Sequence, residues 1–255
     1  MNITPITKEY YDNFDLAVLN DKLNFLVRKL TKLKSGKTRK IYYIELYATY
    51  LQLIEIFCIN TFAVSDNDLL KNIFLSNKEI QEKIQSRFYE ETNHDGTDFI
   101  TYLLTNFVFA NKDDKKDRTE QKLDYKRLIK ESIDDYAKDK DFLNSYKHGF
   151  RVFSGEKNSL SIGMTGGSSM AKIQDYSALI SYYKKDKRGV WRCSISFNWE
   201  RVYYKSMVLI TVLENLKKVY LNTGKKIKFE YVTFLDKQKM VSTYGCFRMC
   251  SPVDE

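Results

Sequence analysis

The sequence is poor in the residues that interrupt helices, form disulfides or bind metal ions. It has 2 Pro and 10 Gly among 255 residues, which excludes collagen-like and Pro-rich linker architectures. It has only 4 Cys and 2 His, and Cys246 and Cys250 lack the C-x-x-C spacing of a zinc site. The sequence therefore predicts no metal site and no other cofactor, and we expect all four thiols to be reduced.

Long hydrophobic runs are also missing. Residues 1–14 show no basic segment followed by an apolar stretch, so no signal peptide is predicted. The most apolar runs, Ile56–Val64 and Phe99–Ala110, are interrupted by Asn and Thr and are shorter than the roughly 18 residues of a membrane span. We expect a cytoplasmic protein that does not partner a membrane.

Aromatic residues and cations are abundant. The 16 Phe and 19 Tyr supply ample area for a core. Residues 140–255 hold 20 Lys and Arg against 10 Asp and Glu, whereas residues 1–139 hold 22 against 23. Arg28–Lys40 adds seven cations without an acid. Such a basic surface attracts polyanions such as nucleic acid, although a solvated face of a lysine-rich protein explains the same charge.

Apolar periodicity predicts a mainly α fold. Leucines at alternating three- and four-residue steps indicate a helix over 15–33 with Asp15 as its cap. A stronger stripe that includes Ile41 indicates a central helix over 40–62, and Asp66 or Asn67 is expected to cap the next helix. Further helices are predicted over about 78–89, 97–110, 119–152 with a break at Lys138–Asp141, and 200–221.

The second half of the sequence adds β signals. Residues 176–184 and 190–199 flank a Lys-Asp-Lys-Arg-Gly turn and predict a hairpin, Asn158–Met170 is expected to be a flexible loop, and Ile227–Phe234 alternates like a strand. We expect one domain over 1–255. It comprises a helical bundle over about 15–152 and 200–222, a β-hairpin insertion over about 158–199 and a β-containing C-terminal extension over 223–255.

The hairpin interleaves aromatic residues with cations. Trp191, Phe197 and Trp199 lie among five cations that we predict to bind RNA: Lys184, Lys185, Lys187, Arg188 and Arg192. Aromatic rings can stack on bases while cations neutralise phosphates. The alternative is that alternate residues pack on the bundle and the turn lysines are solvated. The glycine-rich stretch 163–169 could likewise form an anion-binding nest or a surface loop.

A second constellation surrounds His148. If the helix continues through Gly149, Asn144, Lys147, His148 and Arg151 occupy positions i, i+3, i+4 and i+7 of one face. An imidazole can take the proton from a ribose 2′-OH and return one to the leaving 5′-oxygen. The two cations can stabilise charge on the phosphorane oxygens. Alternatively, His148 lies at a helix end that Gly149 terminates.

The N-x-x-K-H-G segment late in a helix, after several amphipathic helices, resembles the HEPN superfamily. The resemblance covers residues 40–152 and the helix over 200–221, with Asn144 at the family's polar position and His148 at its histidine. It implies a four- to five-helix bundle and a metal-independent endoribonuclease. It also implies a homodimer and a role in prokaryotic toxin–antitoxin or phage-defence systems, with an antitoxin or defence protein as partner.

One position departs from the family pattern. Leu143 stands where the superfamily has an arginine. Either Lys147 or Arg151 has taken over the cationic role, or the chain is a non-catalytic module that binds RNA, a nucleotide or a protein partner.

Overall fold

The protein is mainly helical, with a small antiparallel sheet in its C-terminal half. The computed structural model describes residues 5–33, 36–90, 97–109, 118–147, 152–154, 161–163, 170–172, 178–221 and 247–253. Its helices are α1 (Pro5–Asn13), α2 (Ala17–Lys32), α3 (Lys37–Asp66), α4 (Leu69–Ile73), α5 (Asn77–Ile84), α6 (Phe99–Leu103), α7 (Thr119–Lys147) and α8 (Trp199–Leu221). Two π-helical segments, Gln85–Glu90 and Leu104–Val108, prolong α5 and α6.

Local side-chain bonds define several helix starts. The Asp15 carboxylate accepts a hydrogen bond from the Ala17 amide at 2.8 Å, as predicted. A capping box between Ser76 and Glu79 begins α5. The prediction that Asp66 or Asn67 caps α4 was wrong, because the Asp68 carboxylate accepts from the Lys71 amide.

Two further details of the helix predictions were wrong. The break at Lys138–Asp141 is absent, because α7 runs through these residues and turns Asp139 inward to polar partners. Ile41 is 56% exposed, since the buried side of α3 at this point begins with Tyr43 and Leu46. The unpredicted helix α1 precedes α2.

The predicted hairpin exists, and it is the centre of a larger sheet. Strands β4 (Ala178–Asp186) and β5 (Gly189–Phe197) pair in antiparallel register around a two-residue turn. The strands β1 (Val152–Ser154) and β6 (Phe247–Pro252) add to either side, which gives the order β1-β4-β5-β6. The strands β2 (Ser161–Gly163) and β3 (Met170–Lys172) pair with each other, so the described residues of the predicted flexible loop are extended. The β-containing C-terminal extension is confirmed by β6, whereas Ile227–Phe234 lies outside the described residues.

The chain divides into two compact units. The helical unit comprises residues 1–20, 53–137 and 205–233, and the sheet unit comprises residues 21–52, 138–204 and 234–255. The single domain inferred from the sequence stays a prediction. In the helical unit, the rings of Phe62, Phe88 and Phe99 form a chain of contacts, and Tyr11 stacks on Tyr220 with centroids 4.6 Å apart.

The core of the sheet unit lies against one face of the sheet. Tyr47 packs on Phe142 and Phe197, with ring centroids 5.5 and 4.6 Å apart. On the same sheet face, Cys193 and Cys250 are direct register partners and form a disulfide. The expectation that all thiols are reduced was wrong for this pair, because the pairing of β5 with β6 brings together two cysteines that are 57 residues apart.

One helix of the described residues, α3, is long and apolar enough to cross a membrane. Within the protein, 72% of its most apolar 18-residue window is buried. Such burial is consistent with the core helix of a soluble protein. A cytoplasmic location and the absence of a membrane partner stay predictions.

Candidate nucleic-acid interface

The two-residue turn of the hairpin is fixed by one carboxylate. Asp186 accepts a hydrogen bond from the Arg188 amide at 2.8 Å and another from the Trp191 indole N–H at 3.0 Å. Both bonds favour the ionised form and lower the pKa of Asp186. Gly189 follows with a φ of +130°, which an L side chain rarely adopts. The turn therefore presents Lys187 and Arg188 from a defined backbone.

The two faces of the sheet differ in chemistry. Alternate residues of β4 and β5 form the inner face, which is buried along most of its length and includes Ile180, Tyr182 and Ile195. The opposite face, here called the outer face, is exposed near the turn. Burial raises the pKa of the Tyr182 hydroxyl, and the negative charge of Asp139 raises it further. The inner face is therefore part of the core, whereas the turn and the part of the outer face next to it, with Tyr183, Lys185 and Arg192, are exposed.

The five predicted RNA-binding cations divide between these locations. Lys185, Lys187, Arg188 and Arg192 are exposed, and the register places Lys185 and Arg192 on the outer face. Lys184 lies on the inner side of the strand and pairs with Asp141 at 3.7 Å. Two of the five cations thus lie on the outer face, two lie in the exposed turn and one lies on the inner side.

The predicted aromatic partners are mostly elsewhere. Phe197 is buried against Tyr43 and Tyr47, and Trp191 is bonded to the turn. The exposed ring of this surface is Tyr183, which lies directly opposite Arg192. Tyr183 has no distinguishing signal in the sequence, because which residues of a strand lie on the outer face becomes known only once the register is known.

The C-terminal turn of α7 lies beside the same strand. The Ser145 hydroxyl donates a hydrogen bond to the Tyr183 carbonyl at 3.1 Å. Asn144 and Lys147 are exposed on this turn, whereas Leu143 is buried. The fold therefore places Asn144 and Lys147, the two described members of the predicted catalytic stripe, on a turn that is bonded to β4 of the hairpin. His148 and Arg151, the other two members of the stripe, lie outside the described residues, as does Gly149.

Tyr146, which adjoins the stripe, is not an acid–base group near neutral pH. Its hydroxyl donates to Glu45 at 2.7 Å. Burial, together with this carboxylate, raises the pKa of Tyr146 to about 12. Lys22 pairs with the other oxygen of Glu45 at 3.2 Å, so Tyr146 anchors the end of α7 to α3.

Charge is segregated between the two units. The residues of the sheet unit include 23 Lys and Arg against 11 Asp and Glu, a net charge of +12. Those of the helical unit include 19 against 22, a net charge of −3. The whole positive surplus of the chain, including the Arg28–Lys40 segment, thus belongs to the unit that carries the hairpin.

Neither metal ligation nor known relatives assign a role to this surface. In the part of the chain that the structure describes, no three His, Cys, Asp or Glu side chains converge as a metal ion would require. The chain matches no model of a known family, no curated protein and no solved structure. The HEPN resemblance therefore rests on the sequence segment around Asn144 and His148 alone.

Proposed function

We propose that the protein acts on RNA and binds it through the sheet unit. The observation that carries the proposal is the Ser145–Tyr183 hydrogen bond of 3.1 Å, which joins the end of α7 to the basic hairpin. Lys185, Lys187 and Arg188 supply exposed cations, and the net charge of +12 in this unit attracts the phosphate backbone.

In this proposal the chain is an HEPN-like endoribonuclease. The neutral imidazole of His148 takes the proton from a ribose 2′-OH, whose oxygen attacks the adjacent phosphorus. The imidazolium then protonates the leaving 5′-oxygen, so a cyclic 2′,3′-phosphate and a 5′-hydroxyl result. Asn144 orients a phosphate oxygen, and Lys147 and Arg151 stabilise the negative charge of the phosphorane. The resemblance adds a homodimer of a prokaryotic toxin–antitoxin or defence system, with a partner protein, and the proposed location is the cytoplasm.

A second candidate function, a non-catalytic RNA-binding module, is favoured by one observation. Leu143, at the family's arginine position, is only 3% exposed. Its side chain therefore belongs to the core and leaves no surface position for the missing cation.

Binding is tested by its salt dependence. Fluorescence anisotropy of a labelled 12-nucleotide RNA between 50 and 300 mM KCl is measured for wild type and for a triple variant, Lys185→Gln, Lys187→Gln and Arg188→Gln. The slope of log K against log salt falls by about 0.7 for each phosphate of single-stranded RNA that is no longer neutralised, so we expect it to fall by about 2. The matched control replaces Lys71, Lys78 and Lys130, exposed cations of the helical unit, and should leave the slope unchanged. Equal decreases in both variants would overturn the assignment of the hairpin.

Cleavage is tested separately. Wild type, His148→Ala and Arg151→Ala are incubated with a mixed-sequence RNA in EDTA, and folding is confirmed by circular dichroism. Cleavage by wild type that disappears in His148→Ala supports the ribonuclease. RNA binding without cleavage by folded wild type contradicts it and supports the non-catalytic module.

A further inference from the structure

We infer that Tyr183 is a base-stacking platform and that the RNA recognised by the hairpin is single-stranded. The inference deepens the proposed RNA binding and rests on it. It concerns the outer face of the sheet, where an aromatic ring and cations occur at neighbouring register positions. No residue of the predicted catalytic stripe takes part.

The register defines this platform. Tyr183 lies opposite Arg192, and Arg192 lies opposite Ser251, so the three residues form one row across β4, β5 and β6. Tyr183 is 38% exposed, although the residues before it in β4 are buried. Lys185, two residues further along β4, is on the same face and is exposed. A partly exposed ring thus lies at a register position next to two cations.

Small side chains border the ring on its other side. Ser181 and Ser194 are opposite each other in the next row, and their hydroxyl groups are 2.8 Å apart. Because they bond to each other and are short, they do not rise to the height of a tyrosine ring. Side chains of a strand stand roughly perpendicular to the sheet. Because Ser181 is only 1% exposed, the protein covers this row, and a flat group reaches Tyr183 from the side of Lys185 and the turn, where the outer face is exposed.

The chemistry of this row matches an unpaired nucleotide. Base–aromatic stacking is tolerant of sequence, because every base has a π face. In an RNA duplex the base faces are already stacked, and proteins contact mainly phosphates and 2′-hydroxyls. Arg192 and Lys185 supply charge for the phosphates on either side of a stacked base. Tyr183 adds affinity only when a base is unpaired, which distinguishes single-stranded RNA from a duplex of similar charge.

The test compares three ligands at equal salt. They are a 12-nucleotide single-stranded RNA, the same chain with abasic ribose at every position, and a 12-base-pair duplex. Dissociation constants are measured for wild type, Tyr183→Leu and Tyr183→Phe. We expect Tyr183→Leu to weaken binding of single-stranded RNA by about 5- to 150-fold, the range that loss of one stacked base gives. Tyr183→Phe should retain wild-type affinity, and binding of the abasic chain should not change in either variant.

Matched controls separate the two levels of the proposal. Phe74→Leu removes an aromatic ring that is 81% exposed in the helical unit and should have no effect on any ligand. If wild type binds the abasic chain as tightly as the RNA, the stacking inference is wrong while the basic interface stands. If wild type binds none of the three ligands, the proposed RNA binding itself is wrong. If Tyr183→Leu weakened the binding of all three ligands equally, the stacking inference would also be wrong.

Discussion

Arg248 donates two hydrogen bonds to Asp139, whose side chain is 1% exposed. The guanidinium Nε lies 2.7 Å from one carboxylate oxygen, and a terminal nitrogen lies 2.5 Å from the other. The Tyr47 hydroxyl donates to the same carboxylate at 2.6 Å. This buried cluster connects β6, α7 and α3 within the sheet unit. Bidentate geometry and a third donor together satisfy an anion that burial would otherwise disfavour.

Removing one partner of this pair should be costly. We expect Arg248→Met to lower the free energy of unfolding by about 3–5 kcal/mol, because it leaves a buried carboxylate without its cation. Urea denaturation followed by circular dichroism measures the change. Arg188→Met, at the exposed turn, is the control and should stay within about 0.5 kcal/mol of wild type. Similar values for both variants would contradict the buried role of Arg248.

The Cys193–Cys250 disulfide should stabilise the sheet unit. Its cysteines are 57 residues apart, and the loop-entropy model gives about 4 kcal/mol for a loop of this length. We expect dithiothreitol to lower the denaturation midpoint of wild type. Cys250→Ala should have a lowered midpoint that does not respond to the reductant. A wild-type midpoint that is the same with and without reductant would contradict the bond.

Acid should weaken the ion-pair cluster of the helical unit. Burial alone would raise the pKa of Asp66, but hydrogen bonds from Lys83 and Asn72 and the charges of Lys83 and Arg87 lower it. Because the folded pKa lies below the unfolded one, this stabilisation is present above the ordinary pKa of about 4 and is lost as pH falls through the folded value.

The prediction for Asp66 follows from that sign. We expect Asp66→Asn to cost about 1–3 kcal/mol at pH 7, with the difference from wild type shrinking toward pH 3. Denaturation at both pH values measures it, with Glu82→Gln as an exposed control. A difference that grows on acidification would contradict the depressed pKa.

Introducing the arginine of the HEPN pattern at position 143 should fail. Leu143 is 3% exposed, so Leu143→Arg replaces core packing with a buried cation. We expect a loss of at least about 2–5 kcal/mol and no gain in RNA cleavage. Thermal denaturation and the cleavage assay in EDTA measure the two effects. A stable variant with increased cleavage would show that this position faces the active surface.

The mainly α class and most long helices were predictable, because their apolar stripes repeat over several turns. The hairpin was predictable from strand propensity around one turn. The edge strands β1 and β6 were not predictable, because each forms by pairing with a distant strand and its local sequence carries no strand signal. The supposed break at Lys138–Asp141 reflects the same limit. Charged residues indicate exposure, yet Asp139 is buried by a partner 109 residues away.

The candidate site was predictable in its cations and less so in its geometry. Lys185, Lys187, Arg188 and Arg192 are exposed as a basic hairpin suggests. Lys184 instead pairs with Asp141, because it lies on the inner side of β4. The sequence alone does not show which residues of the strand face inward. The link between the two predicted sites, Ser145 to the Tyr183 carbonyl, involves a backbone acceptor and has no sequence signal.

The position of Arg248 also has a consequence for synthesis of the chain. A polypeptide leaves the ribosome with its N-terminus first. Asp139 of α7 therefore emerges before Arg248, which follows 109 residues later. During that interval the Asp139 carboxylate lacks the guanidinium of Arg248, and its hydrated state has a lower free energy than its buried state. The inner sheet face therefore cannot close in its final form while the chain is still short. Completion of the sheet unit therefore requires β6, a strand that is synthesised late.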